Sequence, residues 1–468
     1  MLLKRFYDTK LAQASYLIGC QATGDAIVID PNRDIAQYVQ AATDEGLRIT
    51  HVSETHIHAD FVSGSKELAE RTGATLYLSD EGGEGWRYTF AQSANATLLH
   101  DGDVIKVGNI KLDVMHTPGH TPEHIVFIIT DTAATDRVMG VITGDFIFVG
   151  DVGRPDLLER AANMKGTMET GARALFASIQ RFKKLPDYLQ LWPGHGAGSA
   201  CGKSLGAVPS TTLGYERIAN WALGTESEKE FIDTVLAGQP EPPKYFAQMK
   251  RINKDGPRAL GGFATPPHKS SSDLDGVLND GALVVDTRKA TRYADAFVPG
   301  TINIPLNKSF TNWAGALIPF DRDFYLIVDG SDAAVHEATR DLAMIGMDRI
   351  AGWFNSDAVT SSHQRLGNTR QMGVQELAGA KDNTFILDVR GRSEYDAGHL
   401  AGVKNIPLAE LPDRLAELPS DQPIVVHCQG GGRSAIAASL LKANGHENVS
   451  NLTGGFGEWA KQGLPVDH

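Results

Sequence analysis

Thr55-His56-Ile57-His58-Ala59-Asp60-Phe61 is a metal-binding signature with one ligand position missing. Two histidines two residues apart, followed by an aspartate, project imidazole and carboxylate donors from one short loop. The full pattern, H-x-H-x-D-H, supplies ligands to two adjacent metals. Here its last position is Phe61, and a phenyl ring cannot bind a metal. A second metal beside Asp60 would lose a nitrogen ligand, so the spacing favours one metal. That points away from two-zinc hydrolysis and towards single-iron oxygen chemistry.

Further metal-type residues stand in Thr117-Pro118-Gly119-His120-Thr121, Thr143-Gly144-Asp145 and Pro193-Gly194-His195-Gly196. Each follows or ends an apolar run and so belongs at a strand-end loop, where the adjacent glycines allow tight turns that aim side chains into one pocket. Cys201 lies six residues after His195 in a loop of small residues, with Lys203 nearby. A thiolate there would accept sulfur or form a mixed disulfide with substrate, and the competing role is buried packing. Cys20, in a strand context, reads as structural. His51, His100, His116 and His124 match no ligand position and are expected in ordinary surface or core roles.

A second kind of chemistry sits in Val425-Val426-His427-Cys428-Gln429-Gly430-Gly431-Gly432-Arg433-Ser434. A buried strand is expected to end at Cys428, and a loop to Arg433 leads into an apolar helix. Gly430, Gly431 and Gly432 let the backbone curl, so that N–H groups from Gln429 to Ser434 point inward and cradle an anion at a helix N-terminus. That field, with Arg433, stabilises a thiolate or persulfide on Cys428.

The segments around Cys428 belong to an internal repeat. Val284-Val285-Asp286-Thr287-Arg288 matches Ile386-Leu387-Asp388-Val389-Arg390, and Gly300-Thr301-Ile302-Asn303-Ile304-Pro305-Leu306 matches Gly402-Val403-Lys404-Asn405-Ile406-Pro407-Leu408, both at an offset of 102 residues. Two copies of about 100 residues read as duplicated α/β domains with parallel sheets. In the first copy, Leu326-Ile327-Val328-Asp329-Gly330-Ser331 puts Asp329 where the nucleophile belongs. A carboxylate cannot carry sulfane sulfur, so this copy is expected to be catalytically silent and to scaffold, dock or close off the neighbouring site.

The chain of 468 residues is too long for one ordinary core, and its 42% hydrophobic and 22% charged residues suit a soluble globular protein of three units. Apolar runs such as Ala26-Ile27-Val28-Ile29 alternate with polar loops up to about residue 240, where Gly238-Gln239-Pro240-Glu241-Pro242-Pro243-Lys244 favours extended backbone. The expected boundaries are a metal domain at 1–240, a linker at 241–262, the silent copy at 263–362 and the active copy at 363–468. A net charge of −13 argues against nucleic acid or an anionic membrane as partner. No apolar run reaches the roughly 18–20 residues of a membrane span. Three scattered cysteines and a start without an apolar leader fit a reducing cytoplasm.

These motifs resemble two families. Asp388-Val389-Arg390, Gly398-His399-Leu400-Ala401-Gly402, Asn405-Ile406-Pro407 and the Cys428 loop are similar to the rhodanese (sulfurtransferase) family. Asp30, the Thr55–Asp60 motif and the three later segments follow the order of the metallo-β-lactamase fold, a four-layer αβ/βα sandwich. Asp145-Phe146-Ile147-Phe148-Val149-Gly150, then Gly153-Arg154-Pro155-Asp156, looks like the persulfide dioxygenase branch. The resemblance spans nearly the whole chain, to fusions of a persulfide dioxygenase with tandem rhodanese domains. It implies an α/β multidomain protein and one Fe(II) per chain held by His56, His120 and Asp145, with positions open for O2 and substrate.

By the same resemblance His58 stands close by, as a further ligand or a hydrogen-bonding group. Asp60 orients ligands by hydrogen bonding, and His195 is left without a second metal. Arg154 holds the carboxylates of a thiol substrate such as glutathione persulfide, or else pairs with Asp156. Phe61, Phe146 and Phe148 line the pocket or belong to the core. A low-molecular-weight persulfide, of glutathione or coenzyme A type, and O2 would give sulfite and free thiol. Cys428 persulfide would exchange sulfane sulfur with sulfite and thiosulfate, clearing sulfide. Family members of this fold self-associate, so a homo-oligomer is expected. The competing reading is a glyoxalase II-like dinuclear zinc thioester hydrolase fused to a sulfurtransferase, which Phe61 opposes.

Overall fold

Short aliphatic runs broken by Gly, Asp and Asn turns dictate the strands. The computed structural model describes residues 1–157, 159, 166–363, 365–380 and 384–468. One compact unit comprises Met1–Gly262 with Ala343–Gly346, the other Phe263–Leu342 with Met347–His468.

In the first unit β1 (Leu2–Asp8), β2 (Gln13–Cys20), β3 (Asp25–Ile29), β4 (Arg48–Ser53), β5 (Thr75–Ser79) and β6 (Thr97–Leu99) form a six-stranded sheet in that order. A second six-stranded sheet has the order β12 (Thr211–Thr212), β11 (Gln190–Pro193), β10 (Gly140–Gly144), β9 (Ile125–Asp131), β8 (Ile110–His116) and β7 (Val104–Val107). Alternation within β2 shows how the layers arise. Tyr16 and Ile18 join Leu112, Phe127 and Ile142 between the sheets, while Leu17 faces Tyr38 and Leu68 from the helices Ala36–Asp44 and Ser65–Thr72. On the far side Val126, Val141 and Leu191 pack against Leu175, Ile179 and Phe182 of the helix Thr167–Phe182. The result is the metallo-β-lactamase αβ/βα sandwich. Each buried aliphatic or aromatic side chain contributes roughly 1.5–3 kcal/mol, and that rigidity holds the loops at the strand ends.

β3 runs parallel to β4, and β10 parallel to β11. Asp30 follows β3, the His56 loop follows β4, Asp145 follows β10 and His195 lies just past β11. Beyond the proline-rich stretch, the helix Phe246–Asp255 buries Phe246, Met249 and Asn253 within this unit.

The second unit holds two parallel sheets with rhodanese-like topology. One has the order β14 (Ile302–Asn303), β13 (Leu283–Asp286), β15 (Phe324–Val328), β16 (Ile350–Asn355). The other runs β19 (Lys404–Asn405), β18 (Phe385–Asp388), β20 (Ile424–His427), β21 (Val449–Leu452), with β17 (Arg370–Met372) added at its edge. The duplication extends to single hydrogen bonds. Arg288 clasps Asp286 as Arg390 clasps Asp388, with 2.7 Å from Nη2 to Oδ2 in each pair. The Asn303 amide donates to the carbonyls of Asp286 and Arg288, as Asn405 does to those of Asp388 and Arg390. These ion pairs are buried, so losing one partner would strand a charge in the interior. Among the described residues no helix is long and apolar enough to cross a membrane.

Candidate metal centre and sulfur-transfer loop

Asp30 anchors the metal loop. It holds a left-handed backbone, φ 53°, an expensive conformation for a non-glycine residue. The carboxylate accepts from the Thr55 N–H at 2.6 Å, the Thr55 hydroxyl at 2.9 Å and His58 Nε2 at 3.1 Å. Because the Thr55 hydroxyl gives its proton to Asp30, its oxygen accepts the Nδ1–H of His56 at 2.9 Å. His56 therefore presents the bare Nε2 to the site. His120 and His195 are set the same way, their Nδ1–H groups donating to the carbonyls of Arg154 at 3.1 Å and Ala12 at 3.2 Å.

The free nitrogens converge on carboxylates. Asp145 Oδ2 lies 3.4 Å from His120 Nε2 and 3.8 Å from His56 Nε2, while Asp145 Oδ1 lies 3.4 Å from His195 Nε2. His195 Nε2 is 3.3 Å from Asp60 Oδ2. Among the described residues, both oxygens of Asp145 and Asp60 Oδ2 are buried with no hydrogen-bond donor at bonding geometry. Oriented imidazole lone pairs facing unpartnered carboxylate oxygens fit a cation. Two groups result, His56–His120–Asp145 and Asp60–His195–Cys201, and within each the ligand atoms lie within 4.8 Å of one another.

Burial governs the titration of this cluster. It lowers His120 to about 4 and His195 to about 3, and raises Asp60 to about 6. It also holds Asp145 and the Cys201 thiol well above their ordinary ranges. Burial opposes charge on His58 too, but the Asp30 carboxylate outweighs it and lifts His58 to about 9. His58 thus leans on Asp30, with its ring centroid 4.2 Å from that of His56.

Two glycines are required by close approach. A Cβ on Gly194 would stand 2.8 Å from Asp145 Oδ1, and one on Gly144, at φ 48°, would stand 2.5 Å from Thr55 Oγ1.

Of the two roles open to Arg154, a substrate carboxylate or a pair with Asp156, the structure shows the pair. Arg154 is fully buried, its guanidinium meeting Asp156 at 2.8 and 2.7 Å and the carbonyls of Ala200 and Pro240 at 3.2 and 2.7 Å. The backbone of Arg154 serves the site, through the carbonyl that orients His120. His124, expected in an ordinary role, is part of the frame. It donates to the Thr117 hydroxyl at 2.9 Å, accepts the Asp145 N–H at 3.1 Å and stacks 5.0 Å from His56. Its only signal in the sequence is a place just before β9, the partner of β10.

Asn253 lies far along the chain, yet its amide donates to the carbonyls of His58 and Phe61 at 2.8 and 2.7 Å and accepts the Ser63 N–H at 2.9 Å. Phe61 is buried 4.4 Å from the His58 ring, Phe148 lies 6.2 Å from His195, and Phe146 packs on Phe182 in the core.

The sulfur-transfer loop follows β20. Cys428 is buried, and its Sγ receives the Gly431 N–H at 3.1 Å and the Ser434 hydroxyl at 3.5 Å. Gly431 takes φ 99° and caps the helix Gly432–Ala443, while Gln429 and Gly430 are exposed at the loop's mouth. Arg433 pairs with Glu394 through two bonds of 2.6 and 2.7 Å, so its charge meets a carboxylate as well as the loop. In the other copy Asp329 pairs with Arg292 at 2.5 Å, and Arg292 occupies the position that Glu394 holds here.

Known proteins match both regions. The metallo-beta-lactamase superfamily is matched over residues 8–195 and the rhodanese-like domain over residues 373–462. The crystal structure of a metallo-beta-lactamase from Staphylococcus aureus subsp. aureus COL is 46% identical, covers 76% of this chain and 99% of that one, and superposes with a TM-score of 0.68. A mitochondrial persulfide dioxygenase of Bos taurus is 29% identical over 198 residues, 42% of this chain and 68% of that protein. A sulfurtransferase of Allochromatium vinosum is 35% identical over 92 residues, 20% of this chain and 85% of that protein. Two further curated relatives are matched over 53% of their own length, so this chain spans about half of them.

Proposed function

The chain belongs to the metallo-β-lactamase superfamily and carries a rhodanese-like domain, and from that premise we propose that it oxidises a low-molecular-weight persulfide and transfers sulfane sulfur through Cys428. In balanced form, a persulfide RSSH with O2 and water gives the thiol RSH, sulfite and two protons. The relatives named a persulfide dioxygenase and a sulfurtransferase support a place in sulfur metabolism.

The observation that carries the oxidation is the trio His56, His120 and Asp145. Two imidazole nitrogens and one carboxylate oxygen suit a single Fe(II), which when bound supplies open positions for O2 and the persulfide sulfur. The chain's own part is orientation. Asp30 and Thr55 fix His56, the Arg154 carbonyl fixes His120, and His124 fixes the backbone of Asp145. Burial of the whole cluster excludes bulk water and limits stray oxidation.

At the other centre the Cys428 thiolate attacks the outer sulfur of thiosulfate. The S–S bond breaks and sulfite leaves with the electron pair, after which a thiol takes the sulfur from the Cys428 persulfide. The reverse direction consumes sulfite. The Gly431 N–H and the Ser434 hydroxyl hold the negative sulfur in place.

Metal analysis and oxygen uptake on anaerobically prepared protein test the reading, with glutathione persulfide and then coenzyme A persulfide as substrate. About one iron per chain is expected, with persulfide-dependent oxygen uptake that His120→Ala loses. Zinc in its place, thioesterase activity and no oxygen uptake would sink the dioxygenase and leave the thioester hydrolase.

A further inference from the structure

Arg154 spends its guanidinium on Asp156, so the anionic end of a persulfide carrier needs another cation near the metal pocket. Alternation along β1 supplies one. Lys4 turns to one face, where it pairs with Glu45 at 2.6 Å, and Arg5 and Tyr7 turn to the other. In the pairing of β1 with β2, Arg5 stands opposite Tyr16 and Tyr7 opposite Ala14. The Tyr16 hydroxyl donates to the Pro193 carbonyl at 2.8 Å, and the Ala14 N–H donates to the Gly194 carbonyl at 2.7 Å. The Gly196 N–H and His195 Nδ1 both donate to the Ala12 carbonyl, at 3.1 and 3.2 Å. These bonds fasten the His195 loop to the start of β2, and β1 lays Arg5 and Tyr7 beside it.

Neither side chain is satisfied. The Arg5 guanidinium lies 4.3 Å from the centre of the Tyr7 ring. Among the described residues no carboxylate pairs with it, and its Nε is buried without a hydrogen-bond acceptor. The Tyr7 hydroxyl has no hydrogen-bond partner among the described residues either. It rests against the main chain next to His195, where a Cβ on Gly196 would stand 2.8 Å from it. Tyr7 is 37% exposed and Arg5 is half-buried, so the pair is open to solvent on one side and adjoins the pocket on the other. Burial keeps His195 neutral, and the Arg5 charge is near enough to add to that effect. A buried donor left without an acceptor is costly, and a bound anion removes that cost.

We propose that Arg5 and Tyr7 bind the anionic group of the persulfide carrier, a carboxylate or a phosphate, and so hold its sulfane sulfur towards His56, His120 and Asp145. The guanidinium offers parallel N–H donors that match either anion, and the phenol adds one more. No covalent bond is made or broken in this step. The inference rests on the persulfide reading above and names the part of the substrate that the chain recognises.

Anaerobic calorimetric titration of the full-length chain with glutathione, coenzyme A and glutathione diethyl ester tests it. The first carries carboxylates, the second phosphates and the ester neither. At least one charged thiol is expected to bind the wild-type chain, and to bind Arg5→Gln about 10-fold more weakly. Arg5→Lys is expected to fall between, and the thiol that responds names the anion. Tyr7→Phe is expected to weaken the same ligand roughly 3-fold. The ester is expected to bind all four proteins alike. In the wild-type chain, added salt is expected to weaken the charged thiol and spare the ester, a reading that needs no variant to fold. Equal binding of the charged thiols by wild type and Arg5→Gln, an equal loss for the ester, or no binding of either charged thiol overturns the site. The two proposals fail separately. Arg5-dependent binding without persulfide-dependent oxygen uptake sinks only the dioxygenase, and oxygen uptake with binding indifferent to Arg5 sinks only this site.

Discussion

Thr55 gives one hydrogen bond and takes another, and with a single hydroxyl it sets both the tautomer and the direction of His56. Thr55→Val keeps the shape and removes both bonds. Metal affinity is expected to fall roughly 10- to 100-fold, the usual cost of losing a group that orients a ligand, as read by competition with a chelator, while circular dichroism stays native. Cys428 is singular in a different way, since no other thiol sits in the anion cradle. Cys428→Ser is expected to end thiosulfate formation and to leave persulfide-dependent oxygen uptake in place. Glu394 tempers the cradle by neutralising Arg433. Glu394→Gln makes the loop more positive, so the KM for thiosulfate is expected to fall roughly 2- to 5-fold, the size of a half-exposed charge interaction of about 0.5–1 kcal/mol. Steady-state assays over a range of thiosulfate concentrations read this directly.

At the scale of elements, what could be read from the sequence is what strands impose locally. Aliphatic runs end at Asp30, His56, Asp145 and His195, so those residues had to stand at strand ends, and parallel pairing gathers such ends along one edge. The duplication was equally legible, because the same clasp of Asp, Arg and Asn recurs at both copies and needs the same residues. Spatial company was not legible. His124 touches Asp145 because β9 lies beside β10, a fact of sheet order rather than of spacing. Cys201 is the exception: six residues after His195, it belongs near the pocket, and it stands beside Asp60 and His195, whereas Asp156 decides which of its two open roles Arg154 takes. The two copies also exchange charge: Arg292 faces Asp329 in one, and Glu394 faces Arg433 in the other. Asp329→Cys alone is therefore expected to give no sulfurtransferase activity in a Cys428→Ser background, since the cradle and its pairing charge are still lacking.

For the molecule as a whole, oxidation and sulfur transfer are assigned to separate compact units, and the first of them reaches past the prolines. Asn253 holds the carbonyls of His58 and Phe61 and the N–H of Ser63 from the helix Phe246–Asp255. Composition alone would end the metal domain at 240, on the near side of that clasp. A fragment of residues 1–240 is expected to lose its metal on dialysis, where 1–262 retains it. Exposed Lys244, at the end of the proline-rich stretch, offers a protease a place to cut. Yet nicking there would not set the two pieces free: they would elute together from a sizing column in native buffer and part only in denaturant, like a chain and the buckle that fastens it.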